Sequence, residues 1–156
     1  MRKAGGFGGR KAAPLEITLV SVYRLPATAP RLLYELLLER KPEVNISHRV
    51  MPNWKQHLRF VASRPYAAWY LIRLDRDYVG AIYLTALGEI GIGIFERWQS
   101  AVIGPAAIKA LMARHPRERF LANINPRNTA WLRMFRELDF KLLQRTYELR
   151  TPGARR

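Results

Sequence analysis

The sequence predicts a single α+β domain in which helices flank one mixed, mostly antiparallel sheet. The chain has 156 residues, of which 49% are apolar, and this is enough for one sizeable core. Runs rich in β-branched residues alternate along the chain with stripes of apolar residues at helical spacing. Three strand candidates follow one another with only short turns between them, which is typical of an antiparallel meander.

The amino-terminal part predicts one strand and two helices. Residues 16–24 are rich in β-branched residues and predict the strand. Residues 29–40 carry leucines at helical spacing and predict an amphipathic helix that Pro42 ends. Residues 53–63 predict a second helix, for which Asn53 is a suitable N-cap.

The rest of the chain predicts three meander strands, a helix, a strand, a helix and a closing strand. Pro105 suits the first position of the third helix, and Asn128 suits the cap of the fourth. In chain order these elements are residues 66–74, 78–86, 89–96, 105–114, 119–124, 128–138 and 140–149. Antiparallel and βαβ segments are thus combined in one sheet.

Composition narrows the functional classes. With no cysteine, disulfides, zinc–thiolate sites and thiol nucleophiles are excluded, and the three histidines lack ligand-like spacing, so no metal is expected. We find no apolar run long enough to span a bilayer and no secretory signal, and we therefore expect a cytoplasmic protein. Residues 15–150 are predicted to form the domain between a flexible, basic, Gly-rich tail at 1–14 and a basic tail at 151–156.

The formal net charge of +15 indicates an anionic ligand. The two ends of the chain carry seven of the fifteen excess charges, which leaves eight on the body: Arg2, Lys3, Arg10, Lys11, Arg150, Arg155 and Arg156. Coenzyme A is one anion that suits such a body. Nucleic acid is the alternative, since basic residues with interspersed Trp and Tyr can bind phosphates and stack on bases.

The segment from Glu89 to Met112 predicts a strand, a loop and a helix, and unpaired N–H groups at a helix start favour an anion. This junction resembles the pyrophosphate loop of the GNAT superfamily of N-acetyltransferases. Its residues are Gln99, Ser100, Ala101, Val102, Ile103 and Gly104, of which Gln99 and Gly104 match the family while Val102 replaces a glycine. Residues 124–140 resemble the second signature of the family: Asn128 and Phe140 match, and Asp139 stands where glycine is usual.

The resemblance implies an acetyl-CoA-dependent N-acetyltransferase in which an amine attacks the thioester directly in a ternary complex. It implies two splayed strands that admit the cofactor, whose pantetheine amides pair with the backbone near Ile92 and Ile94. The amides of residues 99–104 would hold the pyrophosphate, and Asn128 would touch the pantetheine arm. Phe135 lies at the cofactor position where the family usually carries a tyrosine acid, so water or Tyr147 would have to supply that proton.

The reaction needs a base, because a free alkylamine has a pKa near 10 and is mostly protonated at neutral pH. Glu89, at the start of the strand beside the cofactor, is the first candidate, and His48 is the second. Family position also suggests an acceptor wall that contains Asn45, Ser47 and Trp54.

The acceptor itself stays open among small amines, nucleotide-linked amino sugars, aminoglycosides and protein amines. A homodimer is possible because exposed sheet edges often pair. The alternative function is a nucleic-acid-binding or catalytically weakened protein on the same scaffold. No membrane partner is expected.

Overall fold

The computed structural model describes residues 15–41 and 50–149. Its sheet has four strands in the order β1-β2-β3-β4, and each neighbouring pair is antiparallel. The strands are β1 Ile17–Ser21, β2 Ala68–Leu74, β3 Asp77–Leu84 and β4 Ile90–Ile94. The helices are α1 Ala29–Leu38, α2 Trp54–Ala62, α3 Ile103–Arg114 and α4 Thr129–Glu137, with 3₁₀ turns at Val22–Arg24 and Glu96–Trp98. The proposed tails at 1–14 and 151–156 lie outside the described residues.

The sheet is covered on both faces, because successive side chains of a strand point to opposite sides. One face packs against α3 and α4 in a cluster that includes Tyr70, Ile72, Ile82, Leu84, Ile108 and Leu111. The other face packs against α1 and α2 in a cluster that includes Val22, Leu33, Val61, Trp69, Leu71 and Ala81. We call these the α3 face and the α1 face. Within the described ranges, no helix is long and apolar enough to cross a membrane.

Local hydrogen bonds fix the helix ends that the sequence predicts. The Asn53 side chain accepts from the Gln56 N–H, and the Gln56 side chain accepts from the Asn53 N–H, both at 2.9 Å. This reciprocal capping box satisfies two N–H groups that a helix start would otherwise leave without partners. The predicted cap at Asn53 is therefore confirmed.

The end of α4 is closed by a Schellman motif centred on Asp139. The Phe140 N–H donates to Phe135 O at 3.0 Å, and the Asp139 N–H donates to Arg136 O at 3.0 Å. Phe140 packs edge-on against Phe135 with ring centroids 4.9 Å apart. Asp139 has φ +64°, a left-handed conformation that glycine adopts more easily. This explains in physical terms why a Gly-Phe pair suits this position and what Asp139 costs here.

Two predicted strands are wrong as regular strands. Residues 119–124 form one isolated parallel bridge, Glu89 with Leu121, because the segment diverges from β4 after that point. Residues 140–149 form no strand within the described chain, and Tyr147 and Leu149 are 87% and 90% exposed. A strand needs an edge to pair with, and this segment lies against none of the described strands.

Helix α3 begins two residues earlier than predicted, at Ile103 instead of Pro105. The proline therefore occupies the third helical position. It is tolerated there because the first turn of a helix has no internal acceptor for its N–H groups.

Candidate functional site

The site begins where β4 parts from the segment that follows α3. The Ile90 N–H donates to Leu121 O at 2.7 Å, and the Leu121 N–H donates to Gly88 O at 2.9 Å. Among the described residues, no other backbone hydrogen bond joins β4 to the segment 119–124. We call the Glu89–Leu121 contact the closing bridge. The splayed strands implied by the family resemblance correspond to this divergence.

Beyond the closing bridge, β4 has an open edge with free backbone groups. The Thr85 N–H donates to Glu89 O at 2.9 Å, and the Phe95 N–H donates to Val79 O at 3.0 Å, so the odd-numbered residues of β4 bond to β3. Hydrogen-bonded pairs alternate along an antiparallel ladder, which turns the N–H and C=O groups of Ile92 and Ile94 away from β3. The sequence prediction chose these two residues.

The loop from β4 to α3 presents a run of unpaired donors. The N–H groups of residues 100–104 donate to no backbone carbonyl in the described chain, and the first bond into the helix is Ala106 N–H to Val102 O at 3.2 Å. Val102 has φ −111° and ψ −32°, so its branched side chain is not strained by a positive φ. The Gln99 side chain donates to Ile94 O at 3.3 Å and joins the loop to the open edge.

Gly104 lets α3 and α4 approach each other at this end of the cleft. A Cβ atom at Gly104 would lie 2.7 Å from Met134 Sδ and 3.7 Å from Ile94 Cδ1. Any larger residue would push against the α4 side chain. The glycine matched to the family motif therefore has a packing role as well as a free N–H.

Glu89 is held in one orientation beside the closing bridge. Its Oε1 accepts from Asn123 Nδ2 at 2.9 Å, and its Oε2 accepts from Thr85 Oγ1 at 3.2 Å. The Thr85 hydroxyl also accepts from the Glu89 N–H at 3.0 Å. The carboxylate is thus held by groups from both segments that meet at the closing bridge, Thr85 on one and Asn123 on the other.

Tyr83 lies across β4 at Gly91, its partner in the ladder. A Cβ atom at Gly91 would overlap the Cζ, Cε1 and hydroxyl oxygen of Tyr83, so the phenol tip rests directly on the backbone of Gly91. Tyr66 stacks on the other side of the ring, with centroids 3.8 Å apart and planes 7° apart. The phenol is held between a strand and a second ring.

Helix α4 supplies the remaining residues that the resemblance implies. Asn128 caps α4, and its Oδ1 accepts from the Trp131 N–H at 3.3 Å, which leaves its Nδ2 as a donor. Phe135 is only 4% exposed and belongs to the core on the α3 face. Its assignment to the cofactor site stays a prediction.

The end of α1 is tied to the turn that follows β4. Glu39 Oε2 accepts from the Glu96 N–H at 2.8 Å, and Lys41 Nζ lies 3.2 Å from Glu96 Oε1. On the same face, Leu36 Cδ2 would lie 3.9 Å from a Cβ atom at Gly93. Helix α1 therefore lies on the same face as Tyr83, over Gly93 and beside the turn that follows β4.

The proposed acceptor wall is only partly described. Asn45, Ser47 and His48 lie outside the described residues. Trp54 is 41% exposed at the start of α2 and packs edge-on against Tyr34, with ring centroids 5.3 Å apart. Its part in an acceptor wall stays a prediction.

Two histidines lie away from Glu89 and have lowered pKa values. Burial lowers the pKa of His57, against the opposing effect of its 2.8 Å contact with Pro30 O. Burial, helped by Arg114 and Arg117, lowers the pKa of His115, whose Nε2 lies 2.7 Å from the Tyr70 hydroxyl. Both rings are therefore harder to protonate than a free imidazole.

Sequence reasoning missed three residues of the site: Tyr83, Thr85 and Asn123. The signal for Thr85 and Asn123 was weak, because each becomes a partner of Glu89 only when the hairpin and the later segment meet. Tyr83 had no local signal, because its position opposite Gly91 follows from the register between β3 and β4. Among the described ranges, no group of three His, Asp or Glu residues is placed to hold a metal ion.

No known sequence-family model matches the chain, and no curated protein sequence matches it. By structure it is similar to a domain from Methanocaldococcus jannaschii, with TM-score 0.67, 19% identity and coverage of 85% of this chain and 93% of that one. It is also similar to the Campylobacter jejuni N-acetyltransferase PseH in complex with acetyl coenzyme A, with TM-score 0.61, 14% identity and coverage of 84% and 92%. RimL, a ribosomal L7/L12 alpha-N-protein acetyltransferase in complex with coenzyme A, gives TM-score 0.59, 19% identity and 84% coverage of each chain. At these identities the likeness establishes the fold alone: this chain has the α+β fold of these structures, as the sequence predicted.

Proposed function

We propose that the protein is an acetyl-CoA-dependent N-acetyltransferase that acts on a primary amine. The observation that carries this proposal is the divergence of β4 from residues 119–124 immediately after the closing bridge, at the end of β4 that leads into α3. The divergence leaves a strand edge open toward a helix start with unpaired N–H groups. An arm with amide groups fits such an edge, and a pyrophosphate fits such a helix start.

The residues present fit acetyl-CoA. The backbone of Ile92 and Ile94 would pair with the pantetheine amides, and the N–H groups of residues 100–104 would hold the pyrophosphate. Asn128 has a free Nδ2 donor for the arm. When bound, acetyl-CoA supplies an activated acyl group. PseH and RimL, which share the fold, have acetyl-CoA or coenzyme A in their structures.

Glu89 is the proposed base. Its carboxylate is oriented by Thr85 and Asn123 at the closing bridge, where the open edge begins. It accepts a proton from the amine, directly or through water, and so maintains the lone pair that attacks the acyl carbon. A backbone N–H of the open edge, near Ile94, would stabilise the oxyanion that forms.

The acceptor is proposed only as a primary amine that approaches from the α1 face. RimL is an alpha-N-protein acetyltransferase, and an aminoglycoside acetyltransferase from an uncultured soil metagenomic sample, with TM-score 0.53, was solved with sisomicin. Both kinds of acceptor carry amines, and neither is favoured by a described residue of this chain. The wall formed by Asn45, Ser47, His48 and Trp54 remains part of the proposal.

Calorimetric titration with acetyl-CoA tests the cofactor half of the proposal. We expect binding in the wild-type protein and an affinity about three- to tenfold lower in Ile92→Pro, which removes one N–H from the open edge but none from the β3 ladder. Ile92→Val keeps that N–H and nearly the same volume, so it should bind as the wild type does. Absence of binding at millimolar acetyl-CoA would overturn the proposal.

Release of free thiol from acetyl-CoA tests the transfer half. A panel of nucleotide-linked amino sugars, aminoglycosides, polyamines and peptide amino termini should contain at least one amine that accelerates release. If acetyl-CoA binds but no amine accelerates release, the catalytically weakened alternative is favoured. If the protein instead binds nucleic acid at physiological salt and not acetyl-CoA, the nucleic-acid alternative is favoured.

A further inference from the structure

Tyr83 places a free hydroxyl at the position where the open edge of β4 begins. Its side chain starts on β3 and crosses one strand spacing, about 4.8 Å, to rest on Gly91. Gly91 lies between Ile90, whose N–H makes the last bond to Leu121, and Ile92, the first residue of the open edge. The phenol tip therefore reaches the boundary between the closed and open parts of the cleft.

The direction of the phenol is fixed by its neighbours. Tyr66 is stacked on Tyr83 at 3.8 Å and is itself held edge-on by Trp69, with ring centroids 4.9 Å apart. A side chain in position Gly91 would occupy the place of the phenol tip. The hydroxyl of Tyr83 has no hydrogen-bond partner within the described chain, so it is available to a ligand in the cleft. Such preorganised donors lose little freedom when they bind.

Because Phe135 stands where a proton donor is expected, a donor from another element is needed. Phe135 has no proton to give and is buried in the core on the α3 face. Tyr83 approaches the same boundary from the α1 face, where Glu89 also lies, since alternate residues of a strand share a face. Glu89 and Gly91 are two residues apart on this face, so the carboxylate and the phenol tip occupy neighbouring positions along the strand.

We propose that the Tyr83 hydroxyl donates a hydrogen bond to the sulfur of coenzyme A and protonates it as the thioester is cleaved. This inference rests on the proposed acetyltransferase function. As the new C–N bond forms and the C–S bond breaks, the sulfur takes the electron pair and Tyr83 gives it a proton. The attacking amine loses a proton to Glu89, and this proton passes through water to the phenolate of Tyr83. The numbers of protons given and taken up are therefore equal. No oxidant or further reactant is required.

The test compares coenzyme A with desulfo-coenzyme A, which lacks the sulfur, in calorimetric titrations from pH 7 to 9.5. An alkyl thiol like that of cysteine has a pKa of about 8.5, so bound coenzyme A becomes a thiolate in this range. A hydrogen bond to a charged group is strong, so in the wild type we expect coenzyme A to gain about ten- to a hundredfold in affinity over desulfo-coenzyme A above that pKa. Tyr83→Phe keeps the ring and its stack on Tyr66 and should lose this gain, while it binds desulfo-coenzyme A as the wild type does.

Tyr78→Phe is the matched control, because Tyr78 lies on the same strand but at its other end, where it pairs with Arg73 of β2 and not with Gly91. It should keep the full difference between the two ligands. Gly91→Ala, which displaces the phenol tip, should lose the difference as Tyr83→Phe does. An equal preference for coenzyme A in the wild type and Tyr83→Phe would overturn the assignment of Tyr83. Failure of the wild type to bind either ligand would instead overturn the proposed function.

Discussion

Replacement of Asp139 by glycine should stabilise the protein through the end of α4. Asp139 has φ +64°, and a left-handed conformation costs a residue with a Cβ about 1–2 kcal/mol. Glycine avoids that cost but has more freedom to lose on folding, about 0.5–1 kcal/mol. The backbone bonds of the Schellman motif are kept, because both use main-chain atoms. We therefore expect Asp139→Gly to raise the free energy of unfolding by about 0.5–1 kcal/mol.

Urea and thermal unfolding measure this effect. For a chain of this size, a gain of 0.5–1 kcal/mol corresponds to about 1–4 °C in Tm. Asp139→Ala is the matched control: it removes the carboxylate but keeps a Cβ at positive φ, and it loses the local hydrogen bonding that helps Asp tolerate this region. It should be no more stable than the wild type. If Asp139→Gly melts at or below the wild-type temperature, or if alanine stabilises equally, the strain argument is refuted.

Three further perturbations test the site and its supports. Gly104→Ala should lower stability by about 1 kcal/mol, measured by urea unfolding, because its Cβ presses on Met134, and the same substitution should cost much less in a Met134→Ala background. Glu89→Gln should lower kcat for acetyl transfer by about 10²–10⁴-fold at neutral pH and leave the calorimetric Kd of acetyl-CoA unchanged. Since the pKa values of His57 and His115 are lowered on folding, the unfolded chain binds more protons below about pH 6.5, so unfolding free energy should fall on acidification from pH 7.5 to 5.

Each of these expectations has an opposite outcome. If Gly104→Ala costs as much in the Met134→Ala background as in the wild type, the contact with Met134 is not what requires a glycine at this position. An unchanged rate in Glu89→Gln would remove Glu89 as the base. A His115→Phe variant should show a shallower acid slope than the wild type, and an identical slope would mean that other groups govern the pH dependence.

Features that depend on local sequence were predictable. Helices α1, α2 and α4 lie within about two residues of their predicted bounds, because caps such as Asn53 and Asn128 and apolar stripes act over a few residues. The divergence of residues 119–124 was not predictable from their own pattern. Their alternation is real, since Phe120, Ala122 and Ile124 pack against the core on the α3 face. Whether such a segment pairs along its whole length depends on the course of β4, which no local pattern records.

The same division applies to the site. Ile92, Ile94 and the loop before α3 could be chosen because they follow from chain order and a family resemblance. The orientation of Glu89 could not, because Asn123 lies 34 residues away and meets it only through tertiary structure. Tyr83 shows a third case: its pairing with Gly91 follows from strand register, which the sequence alone does not fix.

The closing bridge also restricts how the depth of the cleft can change during evolution. One residue of slip between β4 and residues 119–124 would exchange their faces and place core side chains such as Ile124 on the wrong side of the sheet. Only slips of two residues keep the faces, and each moves the bridge by about 6.6 Å. Relatives of this protein should therefore have clefts whose depths differ in discrete steps, with the reactive position set by whichever residue pair forms the last bridge.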